Sequence, residues 1–250
     1  MRRLKLVVEY DGTDFRGFAI QSRHRTVQGE LEGVLGRLTG TPTRVAGSGR
    51  TDAGVHALGQ VVSFSTASRL ESLEMQRALN ALLPRDIVVK SVEQVAEGFH
   101  ARWSAVERHY RYSVWNNPLP SVLHRRYSYQ VPDALNVEAM NEASRLVEGT
   151  RDFACFTFGL SRYLSSGQRR STVRTVNSAG WHGDGPEVQF DIVGTAFLPH
   201  MIRNIVGSIL KVGHGTWTAE EFRRMLDEGA TELSNSTVPA LGLMLVGVEY

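Results

Sequence analysis

The sequence has a single cysteine, Cys155, and only three lysines, Lys5, Lys90 and Lys211. One cysteine rules out a disulfide within the chain and leaves a cysteine-based zinc site without its ligands. Lying between Phe153 and Phe156, that thiol reads as a small buried hydrophobe. No run reaches the roughly 18 apolar residues of a membrane span. Met1-Arg2-Arg3-Leu4-Lys5 leads into Glu9 and Asp11, where an export signal would carry an apolar core. A cytoplasmic protein with no membrane partner is therefore expected. His-Glu-x-x-His is missing and the eight histidines are scattered, so no metal is expected. There is no Gly-x-Ser-x-Gly elbow. Ser208-Ile209-Leu210-Lys211 fits Ser-x-x-Lys, but its companion motifs are missing and Ser208 falls in an apolar helix.

What the chain does have is ordinary for a globular protein: 250 residues, 42% hydrophobic and 22% charged. That length suits one large domain or two of ordinary size, with a core that needs no disulfide or metal to be stable. The net charge of +2 does not by itself indicate nucleic acid, but 25 of the 28 basic residues are arginine. Arginine suits bidentate phosphate contacts and stacking on bases; a GC-rich coding bias accounts for the excess equally well. The basic clusters are Arg23-His24-Arg25, Arg125-Arg126, and Arg169-Arg170 with Arg174. Such clusters are usually solvated faces, although several along one cleft would follow a phosphate backbone.

Strand and helix signals alternate along the chain. Residues 4–10 read as a strand closed by Asp11-Gly12. Thr26 is an N-cap for a helix with Val27, Leu31, Val34, Leu35 and Leu38 at helical spacing. A short strand at 43–46 and a second at 58–64 flank a glycine-rich loop, the second alternating as a half-buried strand does. Ser68 and Glu71 form a capping box for a helix running to Pro84, and a strand begins at Ile87. This order is β-α-β-β-α-β, the split pattern of ferredoxin-like units. The second half partly repeats it: a strand at 107–115, a helix capped by Asn136, strands near 173–181 and 187–193, a helix at 200–212, a capping box at Thr218 and Glu221, and a strand at 243–248. The fold class read from this is α+β, two similar α/β halves joined near residue 105, with domains at 1–105 and 106–250. The polar stretch 161–171 reads as a surface loop.

The loop Gly47-Ser48-Gly49-Arg50-Thr51-Asp52-Ala53-Gly54-Val55-His56 is the densest concentration of chemistry in the chain. Its glycines allow positive φ and close approach to a ligand. Three readings compete. It is a turn, with Asp52 as a turn or capping residue. It cradles phosphate, against which stands Asp52 at the third glycine position of a Gly-x-Gly-x-x-Gly loop, and no Gly-Lys-Ser/Thr is present. Or Asp52 is an ionised carboxylate used in nucleophilic or acid–base catalysis, kept charged by an arginine. Spacing alone does not choose between the first and the third. Asp11 and Asp14 are possible carboxylate partners, but Asp11-Gly12 reads as a turn.

Several segments taken in order carry a resemblance. Gly49-Arg50-Thr51-Asp52-Ala53-Gly54-Val55-His56 followed by Gly59-Gln60-Val61 resembles the signature of the bacterial tRNA pseudouridine synthase A family. Tyr10-Asp11-Gly12-Thr13 with Phe15 and Gly17, then Thr26-Val27-Gln28, resemble its opening. Phe99-His100-Ala101-Arg102 and Arg108-His109-Tyr110-Arg111-Tyr112 resemble its centre. Phe197-Leu198-Pro199-His200-Met201-Ile202-Arg203-Asn204 resembles its late helix, and Pro239-Ala240 with Gly242-Leu243 its tail. The resemblance implies isomerisation of uridine to pseudouridine in the anticodon arm of tRNA, without metal or organic cofactor. It implies two α/β domains around a continuous, mainly antiparallel sheet with a central cleft, and a homodimer. It carries over Asp52 as nucleophile, Arg203 as the basic partner that keeps Asp52 ionised, and Tyr110 as the stacking residue that assists proton removal. Leu243 lines the pocket in this pattern, and Arg50 fills the space that the flipped-out base leaves. Arg23, Arg25, Arg169, Arg170 and Arg174 are the expected phosphate contacts.

The chain departs from the pattern at Gly17-Phe18-Ala19, where the family has Gly-Trp-Gln, and Pro199 stands at the start of the late helix. Two other functions are carried as alternatives. A non-catalytic RNA-binding protein would need the arginines and not Asp52. A carboxylate-dependent glycosidase would need a second acid several Å from Asp52.

Overall fold

The computed structural model describes residues 1–157, 159, 171–228 and 237–250. They form two units, one made of Met1–Arg108 with Met244–Tyr250, the other of His109–Leu243. Arg169, Arg170 and nearly all of the polar stretch 161–171 lie outside the described residues.

In the first unit, strand β1 (Arg2–Tyr10) buries Leu4, Leu6, Val8 and Tyr10 on one face, following the period of two that a strand imposes. It pairs antiparallel with β3 (His56–Thr66) and with β4 (Ile87–Val95), Leu6 facing Val62 and Val92 respectively. β2 is only Ala46–Gly47, shorter than the strand expected at 43–46. β10 (Leu243–Glu249) joins the same unit through Met244 and Leu245, parallel to His56 and Ala57 of β3. The order is β4-β1-β3-β10. Helix α1 (Val27–Thr39) starts at Thr26, whose hydroxyl accepts from the Gly29 amide, and ends at Gly40 with φ of 68°, where glycine bears no steric cost. Helix α2 (Ser72–Leu82) starts later than Ser68 suggested. Its capping box is Glu71 with Glu74, while the Ser68 hydroxyl accepts from the Leu70 amide. Ser68 takes part in a local turn, the competing use of a short hydroxyl side chain.

β3 shows another departure. It is buried along almost its whole length, including Gln60 and Ser63, and is not half exposed. Both polar side chains have partners: Ser63 accepts from Arg3 at 2.8 Å and from the Ala101 amide at 3.0 Å, and Gln60 is described below. Buried polar groups are tolerated when they find hydrogen-bond partners.

In the second unit the order is β5-β9-β8-β7, with β6 on β5. β5 (Glu107–Asn116) turns Tyr110, Tyr112 and Val114 inward. β9 (Glu187–Gly194) and β8 (Val173–His182) pair antiparallel, as do β8 and β7 (Gly149–Asp152). β6 (Tyr129–Val131) runs parallel to β5. β6 and β7 are short and carried no sequence signal. Helix α3 (Val137–Arg145) is capped by Asn136 onto the Ala139 amide, and α4 (Met201–Gly213) buries most of its length. Helix α5 (Ala219–Glu228) carries the expected Thr218–Glu221 box. Each unit is thus helices with a sheet in which antiparallel pairs predominate, the mixed α/β class expected. Both units also use one device: Asn80 on α2 exchanges two hydrogen bonds with the backbone of Val89 in β4, and Asn141 on α3 does so with Trp181 in β8. Cys155 is buried, and burial pushes its thiol up to about 11. Among the described residues no helix is long and apolar enough to cross a membrane.

On the open face of β5 and β9, Asp191 takes two hydrogen bonds from Arg111 (2.9 and 3.0 Å) and one from His109 at 2.8 Å. Burial pushes the carboxyl up, but these donors outweigh it and hold it at about 2, below the ordinary 3.8. A carboxyl depressed by folding stabilises the fold fully above pH about 4, and that contribution is lost as pH falls toward 2. Solvent screening at this half-buried site reduces it to about 1 kcal/mol. Asp191→Asn is expected to lower stability in urea by about 1 kcal/mol at pH 7, with the deficit shrinking toward pH 3. A deficit independent of pH would assign the loss to packing.

Candidate active site

The glycine-rich loop is held from beneath by a chain of buried polar groups. Tyr10, inward on β1, places its hydroxyl 2.8 Å from that of Thr51, the residue before Asp52. Gln60 on β3 donates to the Tyr10 oxygen at 3.5 Å and to the Gly49 carbonyl at 3.2 Å, and accepts from the Ser48 hydroxyl at 2.7 Å. Tyr10, Ser48, Thr51 and Gln60 are all buried. Burial pushes the Tyr10 hydroxyl up to about 12, with the bonds to Thr51 and Gln60 pulling the other way, so it stays protonated. Arg108, also buried, donates to the Ser48 carbonyl at 3.1 Å.

From the other side, residues 12–18 close over the loop. The Phe18 amide donates to the Thr51 carbonyl and the Gly54 amide to the Phe15 carbonyl. The Gly12 amide donates to Nδ1 of His56 at 3.0 Å. Gly17 has φ of 94°, and a Cβ there would lie 2.8 Å from the Thr51 carbonyl oxygen, so both the conformation and the space call for glycine. Phe18 is buried with its ring against Gly47. At the position of departure from the family pattern, the aromatic is thus part of the packing under the loop. Asp11 accepts from the amide and hydroxyl of Thr13, which is the turn arrangement expected of it.

Within this frame Asp52 is half-buried and Arg50 exposed. The loop that carries the Asp52 carboxylate is therefore held at several points along its backbone. Arg23 is exposed, with φ of 67°. Arg25 is engaged: its guanidinium grips Asp86 through two bonds, meets Glu30 at 2.8 Å and lies 4.1 Å over the Phe15 ring.

In the second unit, Tyr110 on β5 meets Phe197 edge-on, the ring centroids 5.4 Å apart. Arg203, on the first turn of α4, is half-buried and donates through Nε to the Val238 carbonyl at 2.8 Å. Its charge reaches the Tyr112 hydroxyl, which burial raises and Arg203 lowers; that hydroxyl donates to the Pro239 carbonyl at 2.8 Å. The next residue on the helix, Asn204, is buried and donates to the Phe156 carbonyl. The helix opens at His200, in the left-handed region with φ of 60°, just after Pro199. Leu243 is buried and follows the tight turn Ala240–Gly242, whose Gly242 packs against the Tyr112 ring and leaves no room for a Cβ. Arg174, on β8, donates to the Ser171 and Val173 carbonyls. Among the described residues no group of three or more His, Cys, Asp or Glu side chains is placed to hold a metal.

The family model for tRNA pseudouridine synthase matches residues 6–104 and 143–250. The chain belongs to the tRNA pseudouridine synthase A family. It is 46% identical to tRNA pseudouridine synthase A of Geobacillus kaustophilus (strain HTA426), over all of this chain and 95% of that one. It is 43% identical to the protein of that name from Anoxybacillus flavithermus, over all of this chain and 99% of the other. The Brevibacillus brevis protein is 42% identical over the full length of both. Among solved structures, a chain of a Cbf5-Nop10-Gar1 complex aligns with a TM-score of 0.30 and 14% identity, covering 82% of this chain and 54% of that one; a likeness that weak carries no argument. Membership makes the chain an enzyme of an isomerase family.

Sequence reasoning had singled out Asp52 and Arg50 but not their supports, Tyr10, Gln60 and Arg108. The available signal was a glutamine inside the apolar run Gln60-Val61-Val62. Tyr10→Phe is expected to cost about 1–2 kcal/mol in urea denaturation, because it strips the buried Thr51 and Gln60 of a partner. It is also expected to speed hydrogen exchange at the Ser48 and Phe18 amides; unchanged exchange there would show that the loop does not depend on this hydroxyl.

Proposed function

We propose that the chain isomerises uridine to pseudouridine in the anticodon stem-loop of tRNA, with Asp52 as the nucleophile. The full-length match to tRNA pseudouridine synthases A carries this reading, and the hold on the Asp52 loop supports the role given to the carboxylate. The reaction breaks the bond from ribose C1′ to N1 of uracil, turns the base, and forms a bond from C1′ to C5. The C5 proton leaves and N1 gains one, so the sum is redox-neutral.

An ionised carboxylate begins the sequence by adding to the anomeric carbon or to the base ring. Arg203 is the cation that keeps Asp52 charged, as an arginine near a carboxylate does. Its Nε bond to Val238 fixes the guanidinium in one orientation. The target uridine leaves its stack to reach these groups. Tyr110, with its ring steadied by Phe197, stacks on the base and assists removal of the C5 proton. Leu243 lines the pocket and Arg50, exposed on the loop, fills the vacated space. Arg23 and Arg174 contact phosphates, as do Arg169 and Arg170. Arg25 contributes to such contacts while paired with Asp86. The enzyme acts as a cytoplasmic homodimer without metal or organic cofactor.

The test is pseudouridine formation in unmodified tRNA by the wild type and by Asp52→Asn, which removes the charge and keeps the size. Conversion by the wild type, with a loss of at least about a thousandfold in a variant that still binds tRNA, is expected for a missing nucleophile. Comparable rates from both would end the mechanism. Binding without conversion by either protein would favour an RNA-binding module.

A further inference from the structure

The chain has four tryptophans, and three have evident packing roles. Trp181 is buried against Phe190, Trp115 stacks on His124 at 4.5 Å, and Trp217 lies under the Lys211 ammonium at 4.4 Å. Trp103 is different: 72% of it is exposed. Its contacts are the Arg102 guanidinium, 4.6 Å over the ring, and the His100 ring at 5.8 Å. An indole held open to water contributes little to the core.

The backbone that carries it is pinned at nearly every position. The Arg102 and Trp103 amides both donate to Nδ1 of His100, and the His100 amide donates to the Ser104 hydroxyl. The Ala101 amide reaches the Ser63 hydroxyl, and the Ala101 carbonyl accepts from the Tyr250 hydroxyl. The Phe99 carbonyl accepts from Arg3. Buried Arg108 donates to the carbonyls of Arg102 and Ala105 and also to that of Ser48, in the loop that carries Asp52. One guanidinium therefore couples the turn displaying Trp103 to the loop displaying Asp52.

We propose that Trp103, with Arg102 over its ring, is a stacking platform for an unpaired base of the substrate RNA. The proposal rests on the reading that the chain acts on tRNA. Unpaired RNA bases are recognised by stacking on aromatic rings and guanidinium planes, and Arg102 adds positive charge suited to the adjoining phosphate. The pinned turn loses little freedom when the base arrives, which preserves the stacking energy as affinity. The stack is tolerant of base identity, because every base offers a face.

The experiment uses the full chain and fluorescently labelled unmodified tRNA, with Trp103→Ala and Trp103→Phe beside the wild type. A stacked base is worth about 1–3 kcal/mol on alanine substitution, so Trp103→Ala should weaken Kd by at least about fivefold. Trp103→Phe, which keeps a ring, should stay within about twofold of wild type. Saturating tRNA should also shield from acrylamide the emission that wild type has and Trp103→Phe lacks. Wild-type affinity in Trp103→Ala would overturn the proposal while leaving tRNA as the substrate. Shielding that grows with protein concentration without RNA would overturn it in favour of a second copy of the chain. A wild type that binds no tRNA would overturn both this proposal and the functional reading on which it rests.

Discussion

The contact between the Tyr10 and Thr51 hydroxyls governs the loop around Asp52. It lies where solvent cannot replace it, so removing the Tyr10 hydroxyl leaves that of Thr51 without this partner at a desolvation cost. Gln60 extends it into a network that takes in Ser48 and the Gly49 carbonyl, and Arg108 ties the same stretch to the turn at residues 100–105. A loop with this much glycine would otherwise sample many conformations. The network exchanges that freedom for one geometry, and the strands β1 and β3 supply it because their inward positions carry tyrosine and glutamine in place of aliphatic residues.

This arrangement explains which parts of the protein were legible in the sequence. Local chemistry was: Thr26 and Asn136 cap the helices assigned to them, Thr218 pairs with Glu221, and the inward face of β1 follows its alternation. What depends on partners distant in sequence was not. Gln60 and Ser63 are polar positions in a strand read as half-buried, and partners at residues 10, 48, 49, 3 and 101 make their burial tolerable. Arg25 looked like part of a basic cluster, whereas Asp86, some sixty residues away, takes its guanidinium. Ser68 is not the cap: its hydroxyl serves the Leu70 amide, and the box forms one turn later between Glu71 and Glu74. The chemistry of Asp52 was readable from its own loop only as one possibility beside a turn, and its role as nucleophile is what the family resemblance implies.

The two units solve one problem alike. Asn80 and Asn141 each spend a whole amide on the N–H and C=O of a single strand residue. A two-point bond of this kind fixes a helix against its strand both along and across, where apolar packing alone permits sliding. The same economy of fixed points recurs in Arg203, whose Nε bond to Val238 orients the guanidinium, and in Asp191, which gathers Arg111 and His109 on the sheet face.

The placement of β10 has a consequence in time. The strand that flanks β3 beside His56 and Ala57 is translated only after the whole of His109–Leu243. At ribosomal rates of about 5–20 residues per second that interval is on the order of ten seconds. Through it the first unit lacks β10, and a β3 already paired with β1 and β2 keeps an unpaired edge at His56 and Ala57, directly after the Asp52 loop. Nascent chains thus pass through a stage with a bare strand edge, the kind of edge that attracts other chains. A ribosome that stalls before residue 243 leaves a first unit with its sheet still open.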